Sequence, residues 1–321
     1  MRTLWKEIGT AFFMGCILPG FLLNLSALLL QGNARQIAQA ETTVATQAPE
    51  REIFLRLDGE SMEMEDYLIG VVLGEMPADF EPDALKAQAV AARTYTAKAM
   101  VNGKHGDGSL CRNSNCCQAY IAPEAYLEAG GTEENLKKVR SAVLDTAGQV
   151  LTYDGGLIEA TYFSCSGGST EDAGAVWGPD YPYLRAVSSP GEEGATHYQD
   201  SLSFDAKTFQ EKLGIDLTGG PGSWFGEETR TAGGGVATLS IGGETYSGTT
   251  LRKLLNLPST AFTVTTRGDT ILIQTRGYGH RVGMSQYGAD AMAVGGSTYD
   301  EILQHYYPGT CLESLSDMSL F

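Results

Sequence analysis

The chain of 321 residues sets 39 acidic side chains against 22 basic ones, a formal charge of −17. That length holds one large domain or two modest ones sharing a cleft. A surface this acidic excludes a nucleic-acid binder, which needs a basic footprint, and repels anionic lipid, so a partner must be neutral or be met by a local basic pocket.

The first 35 residues stand apart from the rest. From Ile8 to Leu30 run 23 residues without a charge, enough to cross a bilayer core of about 30 Å, with Arg2 and Lys6 before the run and Arg35 after it. This pattern predicts a transmembrane anchor with a cytoplasmic N-terminus. A cleaved signal peptide is the alternative, although the run is longer than an ordinary h-region and lacks a clean small-x-small site. Residues 36–50, rich in Gln, Thr and Ala, read as a tether, and residues 51–321 as the functional domain. Setting aside Arg2, Lys6, Arg35 and Glu7 leaves 19 basic and 38 acidic residues, so the part beyond the anchor carries −19.

Within that part, residues 52–58 read as a strand. The apolar run Leu68 to Leu73 reads as a second one, delivering Glu75 onto a Met76-Pro77 turn. A helix opens at Pro82, a favoured first-turn position with Asp83 against the dipole, and runs through Met100 to a stop at Asn102-Gly103. Lys86 and Arg93 lie two turns apart on it and share one face. A loop with Gly103, Gly106 and Gly108 follows, carrying His105, Cys111, Cys116 and Cys117.

Helical spacing returns over Glu133 to Thr146; residues 149–153 then form a strand that turns at Asp154-Gly155-Gly156 toward a partner over Ile158 to Phe163. Further on come a helix near Asp205–Leu213, strands at 236–241, 262–266 and 270–275, a short helix at Leu251–Leu255, and a last helix ending near Tyr306-Tyr307. There is no internal repeat and no strict βαβ alternation. The expected class is α+β, with mixed helices and antiparallel strands around a substrate cleft.

Glu75 is the foremost candidate for chemistry. A carboxyl at the end of a buried segment loses solvation, which raises its pKa toward the value a general acid needs. Its bland alternative is a solvated turn residue or a partner for Arg93. Lys86 and Arg93 could equally form a solvated stripe, but a helix otherwise built of Ala, Val and Tyr leaves little surface to decorate. If buried, they must meet an anion or other acceptors.

His105, Cys111 and Cys117 are spaced His-x5-Cys-x5-Cys, and zinc takes such nitrogen and thiolate ligands. A Cys111–Cys116 or Cys111–Cys117 disulfide and unpaired thiols remain open, and of the vicinal pair Cys116-Cys117 one is expected to be spare. His280 and Ser285 could pair as base and nucleophile, but no third orienting acid is evident. Tyr181-Pro182-Tyr183-Leu184-Arg185 could stack on sugar rings or simply pack.

Three stretches together resemble the SpoIID/LytB family of cell-wall proteins of endospore-forming bacteria. They are Tyr67-Leu68-x-Gly70-Val71-Val72-x-x-Glu75-Met76-Pro77 with Ala84-Leu85-Lys86-Ala87-Gln88-Ala89-x-Ala91-Ala92-Arg93-Thr94-Tyr95; Tyr162-Phe163-Ser164-x-Ser166-Gly167-Gly168-x-Thr170-Glu171; and Gly279-His280-x-Val282-Gly283-Met284-Ser285-Gln286-Tyr287-Gly288-Ala289. The resemblance implies a lytic transglycosylase that cuts denuded peptidoglycan strands between N-acetylmuramic acid and N-acetylglucosamine during engulfment. Its implied partners are the SpoIIP amidase and SpoIIM, in the mother-cell membrane facing the forespore.

The resemblance also implies Glu75 as catalytic acid. Lys86 and Arg93, and with them Tyr183 and Arg185, become substrate ligands, and His105, Cys111 and Cys117 hold a Zn2+ near the cleft. A hydrolytic glycosidase usually needs two carboxylates, whereas a lytic transglycosylase needs one. Lys86 or Arg93 gripping the lactyl carboxylate of muramic acid would explain a preference for strands stripped of stem peptides. The rival reading is a glycan-binding scaffold without catalysis that recruits or stimulates a cell-wall amidase.

Overall fold

The computed structural model describes residues 52–318 and residue 320. The anchor and tether expected over residues 1–50 lie outside the described residues, and among the described residues no helix is long and apolar enough to cross a membrane.

A hairpin of β1 (Phe54–Leu57) and β2 (Glu60–Glu63) leads directly into helix α1 (Met64–Glu75), whose first turn is capped by the Glu63 carboxylate accepting from Asp66 N. The apolar run before Glu75 is therefore helical and not a strand. The reason is burial on every side: Tyr67 through Val72 are all buried, so the run shows neither the period of an amphipathic helix nor that of a strand. Helix α2 (Pro82–Val101) has Pro82 at its first position and its C-cap at Asn102, matching the reading from sequence. Its alanines at 84, 87, 89, 91 and 92 are fully buried, which lets α1, the helix α4 (Glu133–Asp145) and later helices pack closely around it. Short α3 (Pro123–Glu128) lies between them in sequence.

The first core is completed by β3 (Gln149–Tyr153), which pairs with β4 (Gly156–Leu157) on one side and with β13 (Cys311–Ser314) on the other, both antiparallel. The partner strand expected over Ile158 to Phe163 is split: only β4 pairs with β3, while β5 (Tyr162–Phe163) pairs in parallel with β12 (Met284–Ser285). The expected last helix is likewise two, α8 (Gln286–Val294) and α9 (Tyr299–Tyr306), the second opened by a Thr298–Glu301 capping box. Between these lie the short α5 (Ala173–Trp177) and a second core.

That second core rests on two three-stranded antiparallel sheets. One orders β10 (Phe262–Arg267), β11 (Thr270–Arg276) and β6 (Gln199–Asp205); the other orders β7 (Phe225–Arg230), β8 (Val236–Ile241) and β9 (Glu244–Ser247). Amphipathic α6 (Ala206–Leu213) and α7 (Gly248–Leu255) close it around Phe209, Trp224, Leu251, Phe262 and Ile271. Mixed helices and mainly antiparallel sheets confirm the α+β class.

Candidate functional site

Glu75 is the last residue of α1, and the segment after the cysteine loop is laid against it. Two glycines on α1, one turn apart, make this possible. A Cβ on Gly70 would stand 2.3 Å from the Tyr120 ring, and one on Gly74 would stand 2.8 Å from the Ala119 carbonyl carbon and the Tyr120 nitrogen. In that groove Ile121 N donates to Gly70 O at 2.9 Å and Ala119 N donates to Glu75 Oε1 at 2.6 Å. Among the described residues this is the only hydrogen bond of the Glu75 side chain, and no cation pairs with it. Burial holds the carboxyl above its ordinary pKa, and the Ala119 N–H offsets part of that rise.

Beside Glu75 lies the partly buried phenol of Tyr162, whose own ionisation is suppressed first by desolvation and then by the nearby Glu75. Tyr162 OH donates to Gln118 Oε1 at 2.7 Å, and the Gln118 amide donates to Thr96 Oγ1 at 2.9 Å and to Tyr67 OH at 3.4 Å. The phenol hydrogen is thereby committed to Gln118. Glu75 thus stands alone, desolvated, beside a neutral hydroxyl and a backbone amide. Such a carboxyl can hold a proton at moderate pH and release it to a basic oxygen.

The four donors of the Gly-rich loop converge. His105 Nε2 lies 3.4 Å from Cys117 Sγ and 3.7 Å from Cys116 Sγ, and Cys111 Sγ lies 3.6 Å from Cys117 Sγ. All four ligand atoms fall within 4.8 Å of one another. The sulfurs are too far apart for a disulfide, whose S–S bond is about 2.0 Å, and all five cysteines of the described residues are free. His105 takes a left-handed backbone, φ 58°, unusual for a residue with a side chain and the kind of local strain that clusters at functional sites. Burial pushes the Cys117 thiol up to about 11, while the Asn113 backbone N–H draws Cys111 below its ordinary value. Three thiols and an imidazole in this compass fit a soft, four-coordinate ion. The cluster also adjoins in sequence the residue that holds the acid, since Cys117, Gln118 and Ala119 are consecutive.

The other expected site residues are not brought to Glu75. Lys86 and Arg93 do share a face, but that face is turned toward α4. Lys86 Nζ meets Asp145 Oδ2 at 3.2 Å. Arg93, fully buried, donates from Nε and Nη2 to Glu65, from Nη2 to Val143 O and from Nη1 to Gln149 O. Glu65 stands at the opposite end of α1 from Glu75, about 15 Å away at 1.5 Å rise per residue. The Arg93 guanidinium, expected from the sequence as a substrate ligand, closes a buried knot between α1, α2, α4 and β3.

Tyr183 is buried, its hydroxyl accepting from Glu159 N at 3.1 Å and its ring packed against Tyr153 and Tyr181. Arg185 forms a two-point pair with the Asp180 carboxylate at 2.7 and 3.1 Å. His280 and Ser285 do not pair with each other. His280 Nδ1 accepts from Val282 N, and burial lowers the ring pKa to about 4, while Ser285 caps α8 by accepting from Gly288 N.

Sequence reasoning missed Tyr162, Gln118 and the Ala119 N–H, and took Cys116 as spare. Tyr162 sits within one of the motifs and Gln118 directly follows a cysteine. The signals were present, but nothing in the order of residues says that they face Glu75.

A family model described as SpoIID, stage II sporulation protein, matches residues 58–153. Over 257 residues the chain is 45% identical to stage II sporulation protein D of Bacillus subtilis (strain 168), covering 78% of this chain and 74% of that one. It is 42% identical over 256 residues to stage II sporulation protein D of Bacillus amyloliquefaciens, with the same shares. The chain belongs to the SpoIID family. It is also 33% identical to the amidase enhancer of Bacillus subtilis (strain 168), which it matches over 77% of its own length but 40% of that longer protein. The SpoIID match from residue 58 to 153 takes in α1, α2, the cysteine loop and α4, so it holds both Glu75 and the convergent donor cluster.

Proposed function

We propose that this SpoIID-family protein is a peptidoglycan lytic transglycosylase in which Glu75 serves as both acid and base. The observation that carries this reading is a lone, desolvated carboxyl with a single N–H donor, no cation paired with it and no hydrogen bond to a second carboxylate among the described residues. Protonated Glu75 gives its proton to the glycosidic oxygen as the C1–O bond of the muramic residue breaks. The resulting carboxylate takes the proton of the C6 hydroxyl as that oxygen bonds to C1. The products are a free 4-hydroxyl on the glucosamine side and a 1,6-anhydro end, with no water consumed. Because nucleophile and electrophile belong to one sugar, attack benefits from a high effective concentration.

Zn2+ on His105, Cys111 and Cys117 belongs to this reading, and with thiolate ligands it supplies a fixed cross-link for the loop. The chain's own residues then do the rest: Cys117 leads into Gln118, which orients Tyr162, and into Ala119, whose N–H holds the Glu75 carboxyl. Of the two expected cations, Lys86 is the one with an accessible ammonium for a lactyl carboxylate, through exchange with Asp145. Anchorage through Ile8 to Leu30, an extracytoplasmic site in the mother-cell membrane, and the partners SpoIIP and SpoIIM complete the proposal.

The test is mass spectrometry of products from denuded strands incubated with wild type and Glu75→Gln. Wild type should release muramic ends lighter by one water than reducing ends, and the variant should lose about 10²–10⁴-fold in rate, the usual reach of a positioned general acid. Ordinary reducing ends would sink the reading. The relative named amidase enhancer favours a second one, a glycan-binding scaffold that stimulates an amidase. Under it, Glu75→Gln would retain full stimulation of the amidase and wild type would release no anhydro ends.

A further inference from the structure

We infer that Cys116, the second cysteine of the vicinal pair, is the fourth protein ligand, so that His105, Cys111, Cys116 and Cys117 form a closed Cys3His centre. The inference rests on the zinc reading above and adds to it the ligand that the spacing of the other three leaves out.

The first argument is metric. A tetrahedron with Zn–S near 2.3 Å and Zn–N near 2.0–2.1 Å has S···S edges of about 3.8 Å and N···S edges of about 3.5–3.6 Å. The observed edges are 3.6 Å for Cys111 to Cys117, 3.4 Å for His105 to Cys117 and 3.7 Å for His105 to Cys116. The sulfur of Cys116 thus stands at a coordination distance from the imidazole, like that of Cys117.

The second argument is how two adjacent residues face one point. Asn113 O accepts from both Cys116 N, at 2.9 Å, and Cys117 N, at 2.8 Å, so residues 113–117 curl into one tight turn. In an extended chain neighbouring side chains oppose one another, whereas in a helical turn they diverge by only about 100° and both can bend inward. Asn115 N is in turn fixed by Asn113 Oδ1 at 2.9 Å. Cys117 Sγ also accepts from Cys111 N at 3.4 Å, which fixes this sulfur toward the other donors.

The third argument is charge. Three thiolates around a dication leave one net negative charge, their three protons passing to solvent on binding. Lys104 supplies a cation at the rim: its ammonium donates to Cys116 O and to Tyr95 OH at 2.8 Å and has no carboxylate partner among the described residues. A closed sphere leaves no position for water or sugar. The ion would therefore act by holding residues 117–119 against Glu75 and would not polarise the substrate.

The experiment uses the purified full chain, stripped of metal under reducing conditions and titrated with Co2+, a spectroscopic stand-in for Zn2+. Wild type is compared with Cys116→Ser and Cys117→Ser, following the near-ultraviolet sulfur-to-cobalt band. Cys116 is exposed, so its replacement by Ser leaves the core untouched. The expected result is a 1:1 complex in each case, with band intensity falling by about a third in both variants as one thiolate of three is lost. Alkylation gives a second readout: with Zn2+ bound, Cys116 should resist modification while the equally exposed Cys311 reacts. Equal band intensity in wild type and Cys116→Ser, or alkylation of Cys116 at the rate of Cys311 in the zinc-loaded chain, overturns the assignment of Cys116 and leaves the other three ligands standing. Failure of wild type to bind either metal overturns the zinc reading itself.

Discussion

Under the proposed mechanism Glu75 must begin each turnover protonated, and its surroundings work toward that end. Burial raises its proton affinity, and the single Ala119 N–H offsets only part of the rise. The native state thus binds this proton more tightly than the unfolded chain, where a glutamate titrates near about 4.3. Two consequences share one sign. Catalytic efficiency on denuded strands should fall as pH rises through the raised Glu75 value, giving a basic limb in the pH profile of kcat/KM that no group of ordinary carboxylate pKa would produce. Folding stability should lose the Glu75 contribution over the window from the ordinary value up to the raised one, since the desolvated anion then has to be carried by the native state. Glu75→Gln keeps an oxygen for the Ala119 N–H but cannot ionise. It should raise the thermal midpoint relative to wild type at pH 7 and lose that advantage at pH 4, as differential scanning calorimetry at the two pH values would show. A midpoint for the variant below wild type at pH 7 would mean that the carboxylate is stabilised where it stands and that its burial does not tune it for acid catalysis.

At the scale of elements, α1 decides where the acid points, and it is the element least legible beforehand. A run buried on all sides carries no period, so Leu68 to Leu73 read as a strand although Gly70 and Gly74, four apart, were already the marks of a helix approached closely by another segment. By contrast α2 was legible to within a residue, because proline at its start and Asn-Gly at its end are local signals that tertiary packing does not override. The face shared by Lys86 and Arg93 was legible too; its partner was not, since periodicity tells which residues align and never what stands opposite.

The roles of these elements can be separated by substitution. Arg93→Ala leaves Glu65 without its cation inside the fold and should cost about 3–5 kcal/mol, measured by urea unfolding. Lys86→Ala removes a half-exposed pair with Asp145 and should cost under about 1 kcal/mol, with any effect confined to KM for strands bearing a free lactyl carboxylate. Gly74→Ala would set a Cβ against the Ala119 and Tyr120 backbone, which has no flexible end to move aside, so it should lower kcat while Lys86→Ala does not. Unchanged kcat in Gly74→Ala would mean that the 119–120 contact does not position the acid.

Over the whole molecule, the class and three strands of the second core, β8, β10 and β11, were legible, the last from its alternation with Ile271, Ile273 and Thr275 buried. Strands β6, β7 and β9 were not, and β7, exposed along almost its whole length, carries no such pattern. One buried link between that core and the first was not legible, since it is made by two charged residues 110 positions apart. Glu171 and Arg281 form a pair with almost no exposure. Glu171 Oε1 accepts from Thr231 Oγ1 and Gly235 N in the β7–β8 turn as well as from Arg281 Nη1, and Arg281 donates to the carbonyls of Ser166, Ser169 and Gly233. Thr231, Gly233 and Gly235 belong to the second core's turn; Ser166, Ser169 and Glu171 belong to the stretch after β5, whose neighbour Tyr162 stands beside Glu75. Removing the anion alone strips the buried guanidinium of its direct partner, leaving it carbonyls and the more distant Glu192 carboxylate, a loss of about 3–5 kcal/mol. The damage should be uneven, because the first core keeps all its own contacts. Glu171→Ala should therefore show faster hydrogen exchange at the amides of β7–β9 and of residues 166–171, with residues 119–121 beside Glu75 as protected as in wild type. Uniformly faster exchange through α1 and α2 would mean that the two cores unfold as one and that the Glu171–Arg281 pair is not the seam between them.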